Sequence, residues 1–207
     1  MDPKPTLLMV PCFAGAPWQL DQLRHLKGWP MRTMRLPDRL DDLERSADFV
    51  LDQARDLASY VLVGDSFGAV VSIAAAVRRP LGLAGLVLSG GFARNPITSP
   101  LLKGLASVAP HFPGLLYREL TLRMHAANLA SSFDGEGEIP WSVEKSRRLF
   151  VQETPHRGYV NRVHAVERAD YTAQLPRIRV PTLILTPEDD RLIGTEAAGV
   201  LLRGIPD

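Results

Sequence analysis

Val61-Leu62-Val63-Gly64-Asp65-Ser66-Phe67-Gly68-Ala69 reads as a β-branched strand, then G-x-S-x-G, then a helix rich in small residues, among them Ser72, Ala74, Ala75 and Ala76. A strand that turns this sharply into a helix lifts one serine above the edge of a sheet. Glycines at 64 and 68 flank it because a Cβ at either place would collide with the following helix. The helix N-terminus also aims backbone N–H groups and a partial positive charge at whatever lies over Ser66. The rest of the chain is read for what such a serine needs.

At 207 residues the chain is the size of one domain with a substantial core. Its hydrophobic content of 45% and charged content of 23% are ordinary for a soluble globular protein. A net charge of +1 without a basic run gives no footprint for nucleic acid. Cys12 is the single cysteine, so neither a disulfide framework nor a thiol metal cluster is expected. The opening Met1-Asp2-Pro3-Lys4-Pro5 leads into an apolar run broken by Pro11, too short for a signal peptide, and no segment reaches membrane-spanning length. The expected location is the cytoplasm, and no metal or organic cofactor is implied.

Outward from the serine, apolar runs at residues 6–10, 31–36, 60–63, 83–89 and 180–185 predict strands. Between them, helices are expected at about 18–26, from 43 to about 58, from the serine to about 79, and at 195–202, with a short one near 171–175. Asp41 is placed to cap the second helix, with Glu44 three residues on as in a capping box. Strand and helix alternate, which predicts an α/β fold, a mainly parallel sheet with helices on both faces. The alternation stops between 95 and 170, where Pro-punctuated helical patches lie over the carboxyl edge of the sheet, the edge where open α/β sheets bind ligands. The expected organisation is a first core part at 1–94, a helical cap insertion at 95–170 and a second core part at 171–207.

This arrangement resembles the α/β-hydrolase superfamily over nearly the whole chain. Four features carry the resemblance. They are the loop at 11–15 after the first strand, Gly64-Asp65-Ser66-Phe67-Gly68, the helical insertion after the strand at 83–89, and Val180-Pro181-Thr182-Leu183-Ile184-Leu185-Thr186-Pro187-Glu188-Asp189-Asp190-Arg191-Leu192-Ile193. The resemblance implies that Ser66 is the nucleophile, attacking an acyl carbon to form an acyl-enzyme. It implies an oxyanion hole from the backbone N–H of Phe67 and a second N–H in the 11–15 loop, best placed at Phe13. That loop carries Pro-Cys where the family usually has His-Gly. Matching the family's acid loop to 187–193 selects Asp190 over its neighbour Asp189 as the group that orients the base. Asp65, where a histidine is common, is expected to hydrogen-bond nearby loop backbone and take no part in catalysis.

The family's order is serine, acid, then histidine, and no histidine follows Asp190 in this sequence. The five present are His25, His111, His125, His156 and His164. The stretch around His156 and His164 is polar enough to be solvated. The expectation is a C-terminally short member without the last strand, the histidine loop and the closing helix: either a truncation, or a compact member whose base comes from elsewhere, such as one of the earlier histidines. An exposed edge at 180–185 would then invite a homodimer. Two functions follow. One is a serine hydrolase of carboxylic esters or thioesters of small to medium acyl groups. Leu101, Leu102, Leu105, Phe112, Leu115, Leu116 and Tyr117 of the cap would suit an acyl chain, though they serve equally as core tying cap to sheet. The alternative is a non-catalytic or truncated domain of the same fold that binds a small ligand.

Overall fold

The computed structural model describes residues 3–18, 23–96, 104, 152–188 and 193–206. Five strands, β1 (Thr6–Val10), β2 (Met31–Thr33), β3 (Tyr60–Asp65), β4 (Leu83–Ser89) and β5 (Thr182–Leu185), form one sheet in the order β2-β1-β3-β4-β5. Every pairing is parallel. The register sets Val10 beside Gly64, Asp65 beside Ser89 and Ser89 beside Leu185, so the carboxyl ends of four strands come to one edge. The four long helices among the described residues are α1 (Leu43–Asp52), α2 (Phe67–Ala76), α3 (His156–Glu167) and α4 (Gly194–Gly204).

Both faces of the central strands are covered, which is why they are apolar throughout. Leu8 and Val10 of β1 and Leu62 of β3 face the main core with α1 and α2. Leu7 and Met9 face the other way, onto Leu23, Trp18 and Leu26. All ten residues of α2 are buried. A helix that is apolar on every side belongs inside a protein, and the small side chains of Ala69, Ala74, Ala75 and Ala76 let it lie close against the sheet.

Several local expectations are corrected. The cap of α1 is Asp42, not Asp41: Asp42 has extended backbone, and its carboxylate accepts the Arg45 N–H at 2.7 Å. No capping box forms, because Glu44 turns to the Tyr171 hydroxyl at 2.5 Å and to Arg78 at 2.5 Å. Burial alone would raise the Glu44 carboxyl, but these two partners bring it below its ordinary value. Helix α1 stops at Asp52, and the backbone then tightens into three-residue turns through Ala54 and Leu57. The second strand ends at Thr33 because the Leu36 N–H is taken by the Gly15 carbonyl at 2.9 Å, which swings Met34 and Leu36 into the core. Of the helix expected at 18–26, the described part is a 3₁₀ turn at Arg24–Leu26, and Gly28 at φ +88° turns the chain just after it. The stretch around His156 and His164 is not a solvated segment. It is helix α3, with Gly158, Arg162, Ala165 and Val166 buried.

Ala93 and Asn95 hydrogen-bond Tyr171 and Ala169 through their backbones, at 2.8 and 3.1 Å, and Arg94 pairs antiparallel with Asp170. The two ends of the 95–170 segment are thus tied together where they leave the sheet. His111, His125 and the apolar cap side chains from Leu101 to Tyr117 lie outside the described residues. Strand β5 is an edge of the described sheet, with Leu183 53% exposed.

Replacing Asp42 with alanine removes the cap of α1 and is expected to cost about 1 kcal/mol. At this chain length that lowers the thermal midpoint by about 2–4 °C. Asp42→Asn, which keeps an acceptor, should recover most of the loss. Equal midpoints for wild type and Asp42→Ala in a calorimetric scan would show that the cap contributes nothing.

Candidate functional site

The strand order places β1 and β3 side by side although β2 comes between them in the chain. Chain direction across the sheet therefore reverses between them, and the crevice beyond their carboxyl ends is where doubly wound sheets bind ligands. Two loops open there, residues 11–17 from β1 and Ser66 from β3.

Ser66 has φ +51° and ψ −109°, in the left-handed half of backbone space that an L-residue occupies only under constraint. The constraints are visible. Its N–H donates to the Ser89 carbonyl at 2.8 Å, holding it to the end of β4, and its own carbonyl accepts the Ala69 N–H at 2.9 Å. Ser66 occupies the N-cap position of α2, yet its side chain makes no capping bond. The hydroxyl is thus not spent on the helix it precedes. Phe67, the first residue of α2, is among the positions whose N–H groups have no acceptor inside a helix.

The two flanking glycines are required by contact. A Cβ on Gly64 would lie 2.5 Å from the Gly68 carbonyl oxygen and 2.6 Å from the Ala69 Cα. On Gly68 it would lie 2.3 Å from the carbonyl oxygen of Val10 and 2.5 Å from that of Pro11. The turn is thereby wedged against the start of the 11–17 loop. Phe67 and Phe13 meet edge to face with ring centroids 5.6 Å apart, and Tyr159 of α3 meets Phe13 in the same way at 4.9 Å. The rings of Phe13 and Phe67 thus stand together next to Ser66. Asp189 and Asp190 lie outside the described residues.

Asp65 closes β3 opposite Ser89 of β4. Burial raises its pKa above the ordinary carboxylate value, and the nearby Ser89 side chain only partly opposes this. Burial also pushes the Cys12 thiol up to about 11, with the nearby Asp65 charge adding to the effect. Cys12 is therefore a protonated thiol at neutral pH and not a competing nucleophile. His25 is exposed in the 3₁₀ turn and accepts from Arg24 at 2.9 Å. His164 faces Glu167 on its own helix at 3.2 Å. Among the described residues, no three His, Cys, Asp or Glu side chains assemble as metal ligands.

One group at the site was not anticipated from sequence. Arg162 of α3 is 2% exposed and reaches the 11–17 loop, donating to the carbonyls of Phe13 at 3.2 Å and Ala14 at 3.1 Å. Its other nitrogen donates to the Leu36 carbonyl at 3.2 Å and to the Asp38 carboxylate at 2.8 Å. No local pattern marks this arginine. Its partners lie more than 120 residues earlier in the chain.

The architecture recurs in solved structures. An esterase from Thermogutta terrifontis superposes with a TM-score of 0.77 at 22% identity, covering 98% of this chain and 78% of its own. An enol-lactonase from Burkholderia xenovorans gives 0.75 at 19% identity, with 98% and 80% covered. At these identities the likeness is one of fold. Among curated proteins, RutD of Klebsiella pneumoniae, assigned as a carbamate hydrolase, is 24% identical over 165 residues. That match takes in 74% of this chain and 57% of the relative, so the chain spans little more than half the length of the curated relatives it matches. The sequence model of the family described as serine aminopeptidase, S33, matches residues 27–207. Nearly all of the elements described above fall within that match, and the chain belongs to this family of α/β hydrolases.

Proposed function

We propose that the protein is a serine hydrolase that cleaves carboxylic esters or thioesters of small to medium acyl groups through an acyl-enzyme on Ser66. The observation that carries this reading is the backbone of Ser66, held at φ +51° at the head of a buried helix with its hydroxyl unused in capping. Strain of that kind persists only where the surroundings enforce it, and it clusters at reactive positions. As the hydroxyl oxygen attacks, its proton passes to the general base, the acyl–oxygen bond forms, and negative charge comes to rest on the carbonyl oxygen. The N–H groups of Phe67 and Phe13 are the proposed donors to that oxyanion. Collapse of the intermediate expels the alcohol or thiol, which takes a proton from the general base, and water then releases the acid.

Asp190 is proposed as the group that orients the base. Asp65 is proposed to take no part in the machinery, standing at the end of β3 opposite Ser89 of β4. The segment at 95–170 is proposed as a cap over the crevice. A second copy of the chain is proposed to pair along the exposed β5 edge, where Leu183 and Leu185 lie uncovered. Light scattering should then report a dimer that a proline at Ile184 disperses; a monomer at all concentrations would rule the pairing out.

The central test is a fluorophosphonate probe together with p-nitrophenyl acetate. Wild type should be labelled once and turn over the ester, and Ser66→Ala should do neither. Absence of both in folded wild type would favour a ligand-binding role for this chain. Asp65→Asn should retain labelling and change the pH dependence of stability. With the folded pKa of Asp65 raised, the unfolded chain loses its proton first as pH rises. Wild-type stability therefore falls between the ordinary aspartate value of about 3.9 and the higher folded value. The asparagine variant lacks that fall, so its midpoint should gain on wild type across the same window in melts at stepped pH.

A further inference from the structure

We infer that Arg162 is a positioning residue: its buried guanidinium, paired with Asp38, holds the 11–15 loop in the shape that presents the Phe13 N–H to the oxyanion. The inference rests on the reading of Phe13 as an oxyanion donor and adds the device that sets its geometry.

A guanidinium out of water is costly unless its charge is paired and its donors are filled. Here both conditions hold through one planar fork. One nitrogen collects the consecutive carbonyls of Phe13 and Ala14, and the other collects the Leu36 carbonyl and the Asp38 carboxylate. Two successive carbonyls turned to one nitrogen fix the curvature of the loop at that point. The preceding carbonyl, of Cys12, is drawn inward by the Gly15 N–H at 2.8 Å. A trans peptide directs its N–H opposite to its C=O. The N–H of Phe13, in the same peptide plane as the Cys12 carbonyl, is therefore turned outward from the loop.

Space has been cleared for this contact on both sides. A Cβ on Gly15, itself at φ +72°, would lie 2.2 Å from a guanidinium nitrogen of Arg162. A Cβ on Gly158, one turn before Arg162, would lie 2.0 Å from the Asp38 carboxylate. Asp38 is fastened to the same helix a second time, its carbonyl accepting from the Asn161 side chain at 2.7 Å. Helix α3, the loops after β1 and β2, and the ring of Tyr159 on Phe13 thus close around one ion pair. A lysine has a single point of charge and cannot fill four acceptors in a plane.

The test compares wild type with Arg162→Lys and with Asp38→Asn, which keeps an acceptor and removes only the charge. Amide hydrogen exchange by NMR reads the loop directly. Exchange at Gly15 and Leu36, whose N–H groups bond within the clamp, should quicken in both variants while that of α2 is unchanged. Kinetics read the consequence. For p-nitrophenyl acetate, kcat should fall about 10- to 100-fold in Arg162→Lys, less than the roughly 100- to 1,000-fold loss on removing an oxyanion donor outright, with KM nearly constant. The corresponding thionoester, whose sulfur depends less on the hole, should lose much less, so the oxo-to-thiono rate ratio shrinks. Unaltered exchange at Gly15 and Leu36 overturns the clamp, whether or not the wild type hydrolyses esters. Altered exchange with equal losses on oxo- and thionoester overturns the link to the oxyanion. A wild type inactive on esters refutes the proposed hydrolysis and, with it, that link, while the exchange measurement still decides the clamp.

Discussion

The constraint that positions the serine is the approach of Gly68 to the end of β1. No side chain fits between them, since a Cβ would stand 2.3 Å from the Val10 oxygen. That contact determines how near α2 lies to the sheet, and the rest follows from it. Small residues on α2 are needed so that the helix can sit that low, and the helix is buried on every side as a result. Ser66, between the end of β3 and a helix that cannot move away, has to take up a positive φ. The 11–17 loop begins at the same contact, which is why its Phe13 packs on Phe67.

The charges of the chain divide into two kinds. Pairs such as Arg55–Asp52 and Arg45–Asp41 lie in water within a turn of each other, where a pair contributes a few tenths of a kcal/mol, about 0.3–0.5 by analogy with helical pairs. Arg162–Asp38 is of the other kind: its arginine is buried, and losing Asp38 would leave that charge with backbone carbonyls alone. Arg78 with Glu44 and Asp48 stands between the two, joining α1 to the segment after α2, and the Tyr171 hydroxyl on Glu44 extends it toward the segment after α3. The described ion pairs that cross long stretches of chain fasten loops and helices around the sheet and, through Arg32–Asp56, strand β2 to the segment after α1.

Much of the fold was legible because its signals are short-range. Apolar runs of strand length, separated by helical spacing, predicted all five strands, and β4 falls at 83–89 as expected. Ends were less legible, for identifiable reasons. Asp41 and Asp42 are equally good caps by composition. The choice fell to Asp42 because Leu43 must be the first buried position and because Glu44 is claimed by Tyr171 and Arg78. The strand from Met31 reads as six residues in hydropathy but pairs over three, since Leu36 bonds to Gly15 across a loop. The segment from His156 to Glu167 looked solvated because its polar residues, Arg162 and Asn161 among them, bond inward to backbone carbonyls.

By itself, the sequence determined the alternation of strand and helix, hence a parallel sheet, and the pentapeptide that puts a serine at the head of a buried helix. These depend on periods of two and 3.6 residues and on glycine's missing Cβ, all properties of neighbours in the chain. Only the tertiary structure decided that Asp65 lies opposite Ser89, that Cys12 is buried with its thiol pKa raised, and that Arg162 reaches back to Phe13, Ala14, Leu36 and Asp38. Such pairings join groups separated by 24 to 149 positions. They are set by which segments the hydrophobic core draws together, and a buried charge then takes whatever acceptors that packing brings within reach.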